Sequence, residues 1–264
     1  RRTSAQGFQK LVDVTRRVIR WFESEELAPE SVKIADAVHF GSYLSTLTTR
    51  EGAAITTGTM INYLKAARRF FEYLVETERI RTNPFAELPY PKSQDHLSRN
   101  VLTEAQMACL LAHLARFDEL DSPRSRLRRY RVHVVAEFLY ASGLRIAEAA
   151  SLVEANIDLD HRLVYVPEGK GGKARTAFLS GYASDVLARY LARGRGAVLG
   201  NFCRSHGETL FGADKARLAA VVNEELRAAC ATLEIPVITT HGFRHSLGTH
   251  LLRAGCDMRH IQAI

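Results

Sequence analysis

Ser142-Gly143-Leu144-Arg145-Ile146-Ala147-Glu148 follows a buried-type helical run, Val134, Val135, Phe138 and Leu139, and Gly143 is placed to end that helix just before Arg145. Ninety-six residues after Arg145 comes a second informative stretch, Thr240-His241-Gly242-Phe243-Arg244-His245. A guanidinium is planar, permanently charged and forked, so two arginines from distant segments can clamp one phosphodiester and offset the charge that grows on it during reaction. His241 stands three residues before Arg244, and on a helix those positions share a face, so both side chains can address one ligand.

Between them lies Gly169-Lys170-Gly171-Gly172-Lys173. It is not a nucleotide-binding P-loop, which needs Ser or Thr directly after the lysine and a glycine five residues before it. Here Gly171 follows Lys170 and Tyr165 precedes it by five. Leu163-Val164-Tyr165-Val166 and Arg175-Thr176-Ala177-Phe178-Leu179 flank the turn as short β-prone runs, so Lys170 is expected on a hairpin. An S-G-L-R-x-x-E run, a G-K-G-G-K turn and an H-x-x-R-H run in this order resemble the tyrosine recombinases, in their integrase and Xer branch. The similarity covers nearly the whole chain.

Composition agrees with a globular DNA-acting protein. A chain of 264 residues holds one large domain or two ordinary ones. The 46% apolar content is spread through amphipathic patterns, with no run of eighteen, so no membrane span and no secretory signal are expected. Cys109, Cys203, Cys230 and Cys256 form no C-x-x-C pair, which argues against a zinc ribbon or a disulfide framework and fits a reducing cytoplasm. The net charge of +7 and pI near 9.4 favour a polyanionic partner. The first 92 residues carry 14 basic and 11 acidic side chains, leaving 22 and 18 for the rest, so that partner is expected to touch both halves.

Helical spacing of Phe8, Leu11, Val12, Thr15, Val18, Ile19 and Phe22 opens the chain. A second helix from about Asp36 buries Phe40, Leu44 and Leu47, and a third after Thr57 carries Met60, Leu64, Ala67, Phe71 and Leu74. Pro84 interrupts the pattern and is expected to open a short fourth helix ending near Leu88. Residues 89–100, with two prolines and no apolar period, read as a linker. Thr103 with Gln106 is a capping-box signature that restarts helix. Further helices are expected over Ala183–Leu191, along Leu218, Val222, Leu226 and Ala229, and from Thr240 to a final stop at Gly255.

The fold class expected is therefore mainly α in two domains. Residues 1–88 resemble a helical core-binding bundle, and 101–264 a mostly α catalytic domain with a small antiparallel sheet, the DNA breaking-rejoining fold. The resemblance implies that Arg145 and Arg244 contact the scissile phosphate, Lys170 protonates the departing 5′ oxygen, and His241 assists proton movement. It also implies that Glu148 supports the site from behind. His245, directly after Arg244, is expected to orient it or contact backbone, and Lys173 is the fallback for the hairpin lysine. From spacing alone, Arg145 and Glu148 read equally well as a plain ion pair on a short helix.

Arg124, Arg126, Arg128, Arg129 and Arg131, with few acidic neighbours in sequence, are expected to contact DNA phosphates, as are Lys173 and Arg175. Lys65, Arg68 and Arg69 are either phosphate contacts or a solvated face paired with Glu72 and Glu76. His241, His245 and His250 lack the glutamate of an H-E-x-x-H site, so no metal is expected, and the family's chemistry requires no cofactor.

A tyrosine hydroxyl in the family forms a 3′-phosphotyrosyl bond at specific duplex sites, with four protomers synapsing two of them. All nine tyrosines here precede His241, so the chain is expected to be trimmed before its nucleophile, inactive as it stands, with room for a monomer in solution. Two other readings stay open: a sequence-specific DNA-binding module that does not cleave, and a helical interaction protein whose arginines only make salt bridges.

Overall fold

The computed structural model describes residues 5–49, 51–92, 101–120, 122–167, 174–202 and 208–263. Lys170, Lys173, Cys203 and most of the expected linker lie outside the described residues. The chain divides into two compact units, residues 1–97 and 98–264.

The first unit is built on α1 (Ala5–Ser24), α2 (Ile34–Thr46) and α3 (Thr57–Glu76). Their apolar stripes converge on an aromatic core in which Trp21, Phe22, Phe40, Phe71 and Phe85 are all buried. Phe71 and Phe85 stack with ring centroids 5.2 Å apart, and Phe22 meets Phe85 edge-on. The expected fourth helix is not formed, because Pro84–Glu87 make a turn. The turn wins because a side chain of α3 satisfies its backbone: Arg68 donates from Nε to Phe85 O (2.8 Å) and from a terminal nitrogen to Leu88 O (2.7 Å). Asn83 completes it, accepting from the Phe85 amide and donating to Arg68 O. Packing continues past residue 88, since the Arg68 guanidinium lies 4.5 Å from the Tyr90 ring centroid.

The second unit surrounds one helix. After α4 (Glu104–Ala115), capped by the Thr103–Gln106 box, α5 (Pro123–Ser142) is buried on all sides from Arg131 to Leu139. Gly143 ends it in the left-handed conformation at φ 63°, which costs a glycine nothing. Then come α6 (Ile146–Ser151) and an antiparallel sheet of β1 (Ile157–Asp158), β2 (Leu163–Val166) and β3 (Arg175–Phe178) in the order β1-β2-β3. Pairing sets Val166 opposite Arg175 and Val164 opposite Ala177, so these four share the inward face.

The helix expected to end at Leu191 runs on instead. α7 (Gly181–Arg189) passes through a π-helical turn, Tyr190–Gly194, into α8 (Arg195–Phe202). α9 (Lys215–Thr232) buries Leu218, Val222, Leu226 and Ala229 as the spacing predicts. α10 (Thr240–Arg253) packs along α5, and a further helix, α11 (Met258–Ala263), follows Gly255 where none was expected.

Gly194 in the π turn lies directly under Tyr130, and a Cβ there would fall 2.7 Å from the phenol oxygen. Tyr130 is itself held between Phe117 and Tyr190, so it has little room to give. Gly194→Ala is expected to cost about 1–3 kcal/mol in urea unfolding; unchanged stability would show that the ring moves freely.

Candidate functional site

The site grows out of the end of α5. Ser142 Oγ donates to Phe138 O (2.6 Å) and accepts from the Leu144 amide, which staples the turn around Gly143. Arg145 then stands at the N-cap of α6 with Glu148 at its third position. Glu148 reaches back, so that Oε2 accepts from the Arg145 amide (2.8 Å) and Oε1 from Arg145 NH1 (3.0 Å). The plain ion pair allowed by spacing is therefore present, and it does more than hold a short helix. The same carboxylate takes a two-pronged contact from Arg175 on β3, NH1 to Oε1 at 3.0 Å and NH2 to Oε2 at 2.9 Å.

The α10 residues arrive from the other side. Arg244 donates from NH1 to Gly143 O at 2.6 Å, so the left-handed cap that ends α5 also holds the second arginine. Burial presses the Arg244 pKa down, and the charges of Arg145 and Arg175 add to this, while Glu148 opposes it. Three guanidiniums thus feel one carboxylate, and the positive surplus suits a phosphodiester. His241 sits one turn before Arg244. Burial, then His245, Arg244 and Arg145, hold its pKa below the ordinary imidazole value of 6.5. A neutral ring at neutral pH can accept a proton.

His245 is exposed, its ring edge-on to His241 with centroids 4.5 Å apart. Among the described residues no hydrogen bond joins it to Arg244, one of whose partners is the Gly143 carbonyl. His250 points elsewhere. Its Nε2 bonds to Leu102 O (2.9 Å), and since a carbonyl only accepts, that nitrogen carries a proton; Nδ1 shares a hydrogen bond with the Tyr140 hydroxyl (2.8 Å). Among the described residues, no group of three His, Cys, Asp or Glu side chains is placed to hold a metal.

The structure redistributes the residues expected to meet DNA. Arg131 is buried and donates to Phe211 O (2.7 Å). Arg128 pairs with Glu224 (2.7 Å) and Glu225 (3.0 Å), and Arg129 with Glu225 (2.8 Å). The reading of these three as an open phosphate-facing run is corrected: Arg131 is buried on a backbone carbonyl, and the acids that meet Arg128 and Arg129 come from α9, ninety-six residues away and invisible to local charge counting. Arg126 is exposed, with Nε on Leu120 O, and Arg124 is exposed beside the Phe202 ring. On α3, Arg68 is spent on the Pro84 turn, whereas Lys65 and Arg69 remain exposed. Among the described residues no ion pair joins them to Glu72 or Glu76. Arg175, also expected at DNA, has both terminal nitrogens on Glu148. That role was missed, although its register opposite the inward Val166 is a signal for it.

The model of the phage integrase family matches residues 100–264. A "Tyrosine recombinase XerC 2" from Ralstonia nicotianae is 30% identical over 255 residues, spanning 94% of this chain and 70% of that protein. A "Tyrosine recombinase XerD" from Brucella suis is 32% identical over 246 residues, 91% of this chain and 78% of that one. Among solved structures, the Tn1549 transposon integrase in complex with circular intermediate DNA superposes with a TM-score of 0.70 at 19% identity, covering 99% of this chain and 86% of that one. A lambda integrase dimer bound to a core site gives 0.69 at 16% identity, over 100% and 86%. These two share the fold, and both are held in complexes with DNA.

Glu148 also sets a pH dependence. Burial alone would raise its pKa, but hydrogen bonds from Arg175 and the Arg145 amide, with the charges of both arginines, outweigh that and hold it below the ordinary 4.5. A depressed carboxylate stabilises the fold fully above its unfolded value, and that contribution is lost as the pH falls through the lower folded value. Below pH 4.5 the melting temperature of Glu148→Gln is therefore expected to fall less steeply than that of the natural chain; parallel curves would contradict the assignment.

Proposed function

The chain belongs to the phage integrase family of tyrosine recombinases, and from that membership we propose that it breaks and rejoins duplex DNA at the site built on Glu148. Its function is site-specific DNA recombination, and by family it is an enzyme. The observation that carries the residue assignment is the meeting of Arg145 and Arg244, ninety-nine positions apart, on either side of the Gly143 turn. What favours this reading over a non-cleaving module or an interaction protein is the family membership, with a positive surplus around one buried carboxylate suited to a phosphate.

In this proposal Arg145 and Arg244 hold the scissile phosphate and offset the charge of its pentacoordinate state. His241, neutral for the reasons given, relays the proton of the attacking hydroxyl. Lys170, or Lys173 in its place, protonates the departing 5′ oxygen. The nucleophile is a tyrosine that forms a 3′-phosphotyrosyl bond, which conserves the phosphodiester energy for rejoining. None of the nine tyrosines follows Arg244; Tyr130 and Tyr190 pack in the core, and Tyr140 is tied to His250. By family the nucleophile is a tyrosine C-terminal to the H-x-x-R motif, so we assign that role to none of these nine.

Residues 1–88 and 101–264 are assigned to DNA binding and catalysis, with Lys65, Arg69, Arg124 and Arg126 as the exposed phosphate contacts. The partner is duplex DNA carrying recombination sites, and the working assembly is four protomers on two sites.

Duplex affinity is expected to fall steeply between low and moderate salt, because both halves of the chain displace counterions. A salt-independent affinity would remove DNA from the reading. On a nicked substrate, residues 1–264 should yield no covalent adduct on a denaturing gel, and a version carrying the downstream tyrosine should yield a 3′-linked one. In that version Arg145→Ala and Arg244→Ala should each abolish the adduct. Lys170→Ala should slow it until a 5′-phosphorothiolate, whose sulfur leaves without a proton, restores it; failure of that rescue would reassign the general acid.

A further inference from the structure

We infer that Arg175 is a positioning residue of the phosphate site, acting on Arg145 through Glu148, and not a contact to DNA. The inference rests on the clamp reading above and assigns a residue that the reading leaves out. A carboxylate offers about four lone-pair sites, and in Glu148 each is filled: Oε1 by NH1 of Arg175 and NH1 of Arg145, Oε2 by NH2 of Arg175 and the Arg145 amide. With every acceptor position taken and only 7% of the side chain exposed, Glu148 has no alternative partner to swing toward. Its two oxygens are therefore fixed points against which the Arg145 guanidinium is held.

Arg175 supplies half of that fixation, and it does so from β3. Its side chain is 19% exposed against 34% for Arg145, so Arg145 is the guanidinium of the pair that is open to a ligand. Register explains why β3 can reach: Arg175 lies opposite Val166 on the inward face of the sheet, while the neighbouring Thr176 faces out. Two parallel N–H···O contacts at 2.9 and 3.0 Å are the geometry that a guanidinium fork provides and an ammonium cannot. Removing the fork leaves Glu148 buried with two acceptor sites empty, free to rotate and carry Arg145 with it.

The test separates fixation from mere positive charge. Binding of inorganic tungstate, a tetrahedral dianion, is measured by calorimetry on residues 1–264 of the natural sequence and its variants, alongside their melting temperatures. Arg175→Ala should weaken tungstate about tenfold, as loss of an outer-shell partner commonly does. Arg175→Lys keeps the charge beside Glu148, which protects folding, but loses the fork, and it should remain weakened by a comparable factor with a melting temperature close to that of the natural chain.

If Arg175→Lys binds as the natural chain does, Arg175 supplies only potential and the inference is overturned. Full affinity in Arg175→Ala overturns it as well. In an Arg175→Ala/Glu148→Gln double variant, the loss caused by Arg175→Ala should largely disappear, since its route to Arg145 is already cut; an undiminished loss would mean direct contact with the anion. Arg145→Ala is the control for the clamp itself. If it binds tungstate normally, the clamp reading fails, and that result is distinct from an effect confined to Arg175.

Discussion

The buried carboxylate of Glu148 is the constraint on which the rest of the site depends. An ionised carboxylate in a low-dielectric surround is costly unless its acceptors are filled, and here four donors from two elements fill them. That requirement fixes where α6 begins, because the Arg145 amide must face Oε2 at its first turn. It also fixes the register of β3, because Arg175 must point inward. Two arginines that would otherwise repel are held side by side, leaving one of them open for a phosphate.

The turn that precedes Arg145 serves two elements at once. Gly143 takes φ 63° to stop α5, and in that conformation its carbonyl accepts from Arg244 on α10. A residue with a Cβ would pay for the left-handed backbone, and any shift of the carbonyl would move an anchor of Arg244. Ser142 below it ties the amide of Leu144 to the last turn of α5. The run Ser142 to Glu148 thus assigns a separate physical job to nearly every residue, which is why so short a stretch was legible without the rest of the chain.

Legibility followed the range of the interaction responsible. Helices set by their own periodicity could be read directly, as with Leu218, Val222, Leu226 and Ala229 on α9, and so could local caps such as Thr103 with Gln106. Elements set by distant partners could not. The turn at Pro84 exists because Arg68 donates to two of its carbonyls, and the arginine run of α5 meets its acids only once α9 is packed beside it. β1 is two residues long and has no period to detect. α11 was overlooked despite a local signal, since Asp257 accepts from the Arg259 amide at its start. In the site, the two quoted motifs could be read from local sequence and the structure sets Arg145 and Arg244 on either side of Gly143, whereas the link through Arg175 needed the sheet register.

The helix pair α5 and α10 carries the remaining burden, because it brings the two arginines together. Arg244 to Gly143 joins them near the site, and His250 joins them about one and a half turns further along α10, through Tyr140 on α5. A single hydrogen bond would permit α10 to pivot about it. Two bonds separated along the helix oppose pivoting and sliding together. His250 strengthens the lock by a third contact, its Nε2 proton on Leu102 O, while Ser246 Oγ accepts from the Leu102 amide. The chain just before α4 is thereby pinned to α10. Contacts at Arg244, Ser246 and His250, spread along α10, thus hold the helix that carries the second arginine against both α5 and the chain that leads into α4.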